Sequence, residues 1–145
     1  MKKLAIIALL ASAATMASAT TEVELHGGRN FGVDQSFTGL SIGHRVDRNA
    51  LTLGFDHASK WDRWSLVGSR DFAILGPVIV AGKLGLAHVD PDHRKSGWAG
   101  TIGLGATLPI APKLDLVADL AYQKGQRKIH QFDGAVLSAG LKYSF

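Results

Sequence analysis

The sequence predicts an all-β chain folded as an eight-stranded antiparallel up-and-down transmembrane barrel. Three observations predict it: a two-residue hydrophobic period along most of the chain, a division of each alternating segment into a large apolar face and a small or polar one, and connections that alternate between short and long. Seventeen glycines in 145 residues, none of them before residue 20, also argue against helices.

The first nineteen residues stand apart. Lys2 and Lys3 lead into an apolar stretch, Leu4 to Ala14, and then into Ala17-Ser18-Ala19, the parts of a cleaved secretory signal peptide. Cleavage after Ala19 would leave residues 20–145 as the barrel domain and lower the formal charge from +4 to +2, because the two lysines leave with the leader. So small a charge excludes a strong polyanion binder, and no nucleic-acid partner is expected. The longest apolar run after the leader, Phe72 to Gly82, is interrupted by Gly76 and Pro77 and is too short for a membrane helix. The absence of cysteine excludes a disulfide scaffold and a thiolate zinc site.

The strands follow in order. Val23 and Leu25 oppose Glu22, Glu24 and His26; Leu40, Ile42 and Val46 oppose Gly39, Ser41, Gly43 and Arg45; Leu51, Leu53 and Phe55 oppose Thr52, Gly54 and Asp56. The fourth segment, Trp61 to Phe72, sets Trp64, Leu66 and Phe72 against Arg63, Ser65 and Ser69, and its register is the least defined. Val78, Val80, Leu84 and Leu86 then oppose Ala81, Lys83, Gly85 and Ala87, and Trp98, Ile102, Leu104 and Leu108 oppose Ala99, Thr101, Gly103 and Gly105. Leu114, Leu116, Leu120 and Tyr122 oppose Asp115, Val117, Asp119 and Gln123; Leu137, Leu141, Tyr143 and Phe145 oppose Val136, Ser138, Gly140 and Lys142. Tight connections are expected at Asp47 to Asn49, Leu75 to Pro77 and Pro109 to Lys113. Gly28 to Ser36, Ala58 to Lys60, Asp90 to Gly97 and Lys124 to Asp133 would form four polar surface loops.

The polarity of the faces fixes the environment. A soluble barrel hides its large apolar side chains, but here the charged face is also the small-residue face, and eight strands enclose a lumen that side chains fill. The small residues therefore belong inside and the Leu, Ile, Val and aromatic rows outside, where an apolar exterior requires lipid. In hydrocarbon an unpaired sheet edge costs several kcal/mol per backbone group, so the sheet must close.

With these residues in view, the chain from Thr20 onward resembles the small eight-stranded outer-membrane barrels of the OmpA and OmpX type. The most specific element is the terminal stretch Ala135 to Phe145, whose final aromatic and alternating apolar residues resemble the C-terminal assembly signal of that superfamily. The resemblance implies a monomer in the outer membrane of a Gram-negative bacterium. It further implies contact with outer-membrane lipids, including lipopolysaccharide, and recognition of the last strand by the barrel assembly machinery.

Strand parity sends Glu22, Glu24, Arg45, Asp56, Lys83, Asp115, Asp119 and Lys142 inward, with His26 among them. Such ions in a narrow interior must pair, which favours a structural plug over an ion or proton pathway. Tyr122, Tyr143, Phe145, Phe72, Trp64 and Trp98 read as an interfacial girdle. Arg70 faces outward by parity and must sit at an interface unless a bulge shifts its strand. The segment His88-Val89-Asp90-Pro91-Asp92-His93 carries possible metal ligands, but as a flexible polar loop it is expected to hold none. Lys124, Arg127, Lys128 and His130 read as a solvated loop, with lipopolysaccharide phosphates as the alternative.

Catalysis would need a nucleophile beside a base. Some outer-membrane barrels deacylate lipid A with His and Ser two residues apart; here His130 is followed by Gln131 and Phe132, and Ser138 points inward, so His130, Asp133 and Ser138 make a poor triad. The expected function is therefore a non-enzymatic barrel with a side-chain-plugged lumen and a structural or surface-interaction role, without cofactor, catalytic or metal residues. A lipid A-modifying enzyme is the alternative, and a soluble lipocalin-like carrier a third class.

Overall fold

A computed structural model describes residues 19–92 and 95–145. All of the expected leader but Ala19 lies outside these residues, as does His93 of the metal-ligand segment. The strands are β1 (Thr20–Asn30), β2 (Gln35–Val46), β3 (Asn49–Ala58), β4 (Trp61–Leu75), β5 (Val78–Pro91), β6 (Gly97–Ala111), β7 (Leu114–Gly125) and β8 (Gly134–Ser144). Each pairs antiparallel with the next, and β8 returns to β1 through pairs such as Leu25 with Leu141 and Glu24 with Lys142. The ring is closed, so none of these strands is left with an unpaired edge.

The two faces fall as the alternation predicts. Leu25, Leu84 and Ile102 stand outward at 66, 68 and 63% exposure, as do Leu51, Leu66, Leu104, Leu120 and Leu141, while Glu22, Ser41, Asp56 and Lys142 are buried inside. No aqueous fold exposes so continuous an apolar belt; the barrel spans a membrane. Strands of 10 to 15 residues exceed the roughly 9–11 needed to cross, and the surplus extends beyond the hydrocarbon.

That surplus corrects the expected connections. At the end carrying Thr20 and Ser144 the turns contain only Asp47-Arg48, Gly76-Pro77 and Pro112-Lys113, and Gly76 takes φ +61°, a left-handed conformation that glycine adopts without strain. Pro109 lies within β6, where the register shifts against β7 between Pro109 and Ala111, a position that tolerates a missing N–H. At the opposite end the strands run further than expected: β1 reaches Asn30, β2 begins at Gln35 and β5 continues to Pro91. The expectation of a chain without helix also needs correction, because Arg127–Phe132 forms a 3-10 helix.

In β4 the register shifts between Asp71 and Ala73, after Arg70 and not before it. Arg70 keeps its outward position and pairs with Asn49, the first residue of β3, near the tight-turn end. Tyr143 and Phe145 pack edge-on at 5.0 Å near that same end, whereas toward the loops Trp64 packs at a tilt on Phe55 at 4.6 Å and Trp98 meets His88 edge-on at 5.0 Å.

Replacing Leu84 with Arg is expected to reduce folding stability in lipid vesicles by about 2–4 kcal/mol, the cost of a cation near the bilayer midplane. Urea titration of the refolded protein measures it, and a change near zero would place this row in water.

Candidate functional site: the barrel interior and its cap

All eight charged residues assigned inward by parity face the interior, and they are joined by Arg63 and Asp71. Near the tight-turn end Arg45 bridges Glu22 through Nε and Asp71 through Nη1, both at 2.7 Å, and Lys142 lies 3.3 Å from both Glu22 and Asp115. Lys83 holds Asp119 at 2.6 Å. Toward the loops His26 Nε2 is 2.7 Å from Asp56 Oδ1, His26 Nδ1 faces Glu24 at 3.3 Å, and Arg63 Nε donates to Asp56 Oδ2 at 2.7 Å.

These contacts depend on what the intervening strands lack. His26 on β1 and Asp56 on β3 are separated by β2, where Gly39 is paired with both. A Cβ at Gly39 would collide with Asp56 Oδ1 and His26 Nε2. Lys83 and Asp119 likewise meet across β6, where a Cβ at Gly105 would collide with both side chains. Glycine on the middle strand thus lets ions two strands apart share a hydrogen bond.

Above the ions the interior turns apolar. Ile129 and Phe132, from the 3-10 helix, are buried among Phe37, Ala58, Trp61, Val89, Ala99 and Val136, with Val33 alongside. Trp61 contacts Phe37 and Phe132 at ring distances of 5.7 and 5.8 Å. The Arg63 guanidinium joins the two layers. Its Cζ lies 5.1 Å from the Phe37 ring and 5.7 Å from that of Trp61, a cation–π arrangement, while Nη1 donates to Gln123 Oε1 at 2.9 Å. The connection is fastened at both ends: Gly125 N–H donates to Asp133 Oδ1 at 2.6 Å, Gln126 N–H to the Trp98 carbonyl at 3.0 Å, and Phe31 N–H to the Ala135 carbonyl at 2.9 Å. A cavity of about 130 Å³ remains below the cap, bordered by Glu24, His26, Asp56, Arg63, Lys83 and Asp119.

The segment Lys124 to Asp133 is therefore not the wholly solvated loop that its charges suggest. Lys124, Arg127, Lys128 and His130 do face solvent, but Ile129 and Phe132 turn inward from between them. The signal was the pair of apolar residues three apart in a polar stretch, the spacing of one helical turn. Trp61, Gln123 and Asn30 also belong to the buried interior, although no function was attached to them from the sequence.

The loop expected at His88 to His93 is corrected in its first part. His88 to Pro91 belongs to β5, so parity sends Val89 and Pro91 inward and leaves His88 and Asp90 on the other face. Among the described residues no three His, Asp or Glu side chains are grouped to hold a metal. The residues weighed as a poor triad do not come together: His130 is exposed with Nδ1 bonded to the Arg127 carbonyl at 3.0 Å, Asp133 is engaged by Gly125, and Ser138 borders the internal cavity.

No protein-family model matches the chain, and no curated protein does. Solved structures do. The fold is similar to that of a major outer membrane protein from Thermus thermophilus (TM-score 0.64, 18% identity, covering 88% of this chain and 99% of that one). It is also similar to the Yersinia pestis outer membrane protein Ail (TM-score 0.57, 13% identity, 88% and 99% covered) and to Neisserial surface protein A (TM-score 0.56, 16% identity, 88% and 96% covered). A designed transmembrane barrel, TMB2.3, matches at TM-score 0.61 with 14% identity, covering 86% of this chain and 93% of the design. The expected architecture is borne out: the chain has the fold of the small eight-stranded outer-membrane barrels.

Replacing Arg63 with Ala should destabilise the barrel by about 3–5 kcal/mol, because Asp56 would keep a buried charge without its guanidinium. Unfolding of the variant in detergent measures this. Pairing Arg63→Met with Asp56→Asn should recover part of the loss; a double variant as unstable as the single one would contradict an ionic origin.

Proposed function

We propose that this chain is a non-conducting outer-membrane barrel whose filled interior holds a rigid scaffold for its loops, in a structural or surface-interaction role. The observation that carries this reading is the cap. Ile129, Phe132, Trp61 and Phe37 occupy the loop end of the bore over a layer of ion-paired side chains. An open water path would leave those apolar groups hydrated and compete for every charge-assisted bond beneath them.

The last connection is the best-suited contact surface. Lys124, Arg127 and Lys128 are exposed and have no carboxylate partner among the described residues, whereas Arg29 and His57 elsewhere on the loop end are engaged by Asp34 and Asp62. Three such cations at one membrane face suit the phosphates of lipopolysaccharide.

Lipid A modification is the weaker reading. The interior offers His26 beside Asp56, with Ser41, Ser65 and Ser138 around the same cavity. Nε2 of His26 is bonded to Asp56, and among the described residues no serine hydroxyl is bonded to either of its ring nitrogens. Hydrolysis would also require an acyl chain to pass the cap.

Planar-bilayer recording tests the closed bore. The full chain is expected to give no large, long-lived conductance steps, and deletion of residues 127–132 should admit frequent openings. Porin-like steps from the intact protein would overturn the reading.

A further inference from the structure

We propose that the outward face of β3 to β7 carries a furrow for one anionic glycerophospholipid, with its phosphate on Arg70 and an acyl chain lying over Gly82 and Gly68. This goes beyond the closed interior and does not depend on it; it needs only the membrane-spanning fold.

The first observation is the position of Arg70. Along the outward row of β4 it stands between Gly68 and Phe72, with Leu66 beyond the one and Ile74 beyond the other. It is exposed, and among the described residues no carboxylate binds it. The neighbouring acid, Asp71, faces the interior and is held by Arg45. A guanidinium toward the end of a lipid-facing row lies at headgroup height, and with no protein partner among the described residues it is placed for a phosphate that accepts two parallel N–H bonds.

The second observation is the shape beside it. Two shallow, largely open depressions lie against the outer surface and share Gly68, Leu84 and Ile102. Arg70, Asn49 and Gly82 border the first; Leu66, Leu86, Gly100 and Tyr122 border the second. Together they form a shallow, open apolar strip that starts at the cation and runs toward the loops.

The third observation concerns the glycines. On the inner face a Cβ would meet neighbouring atoms at 2.8 Å at Gly85, 2.5 Å at Gly103 and 2.6 Å at Gly105, so the packing there excludes any side chain. On the outer face the nearest atom to an added Cβ would be 3.8 Å away at Gly68 and 3.9 Å at Gly82, with nothing within 4 Å at Gly100. None of these three has a positive φ. The protein's own packing therefore does not require glycine at these positions, although glycine weakens a strand interior and often marks the close approach of another group. This face belongs to the membrane-spanning belt, where lipid is the surrounding solvent. Because Arg70 is level with the first residue of β3 at the tight-turn end, the headgroup belongs to the leaflet on that side.

Native mass spectrometry of the full chain in detergent, supplied with equal amounts of dioleoylphosphatidylglycerol and dioleoylphosphatidylcholine, tests the furrow. The wild type should retain the anionic lipid in roughly fivefold preference, the effect of one basic side chain near an anionic headgroup. Arg70→Gln should abolish the preference and Arg70→Lys should retain most of it. Gly68→Leu with Gly82→Leu should lower retention of both lipids while Arg70 remains. Heat-modifiable electrophoretic migration verifies that each variant is folded, and the Arg70 pair decides the matter even if the glycine variant does not fold. Equal retention of both lipids by the wild type, or a preference that survives Arg70→Gln, would overturn the proposal.

Discussion

Every backbone N–H and C=O that enters hydrocarbon must find a partner within the protein, and the rest of this structure depends on that constraint. Strands satisfy it only as a ring, which makes the pairing of β8 with β1 as necessary as any hairpin. Closure at eight strands in turn fixes a narrow bore. Lipid then takes the large apolar side chains on the outside, and the small and charged ones face inward because no other side remains. The inversion of the usual soluble pattern is a consequence of solvent and ring size, not of a special sequence motif.

A narrow bore containing ions creates a second demand, since each charge loses hydration and must recover it from a neighbour. Partners on adjacent strands satisfy part of this demand, as Lys142 and Asp115 do. The rest requires reach across a third strand, and the small residues there determine which ions can meet. Gly39 beneath the His26–Asp56 contact and Gly105 beside Lys83 and Asp119 are as much part of the network as the charges themselves. Arg63 ends the network differently, spreading its charge over a carboxylate, an amide oxygen and two aromatic faces. Its planar, weakly hydrated group suits a boundary between polar and apolar layers, where a lysine would want water.

Most of the architecture was legible because a period of two carries the assignment of faces, and the faces carry the environment. Glu22, Glu24, Arg45, Asp56, Lys83, Asp115, Asp119 and Lys142 were all placed inside by parity alone. Parity gives a direction but no height or partner, so the network could not be drawn, and Arg63 and Asp71 were left out of it although neither breaks the alternation. The loop end was read least well. Strands continue past the hydrocarbon there, and polar residues above the membrane no longer report where a strand stops. His88 to Pro91 looked like a loop for that reason. The cap was obscured by its charges: Arg127, Lys128 and His130 dominate the composition of a segment whose structural role belongs to Ile129 and Phe132.

Glycine has opposite meanings on the two sides of one sheet, and the distinction decides how the chain should be read. On the inner face its absence of a side chain is a steric necessity, because backbone and ions already occupy the space a Cβ would need. On the outer face at Gly68, Gly82 and Gly100 the space is free, so no such necessity operates. Composition cannot separate the two cases, since both contribute equally to a glycine-rich sequence. Parity separates them only once the faces are known, and only the surrounding atoms show which glycines the fold requires. Where the fold does not require one, the outer surface has room beside the backbone, and on this face the surrounding solvent is lipid.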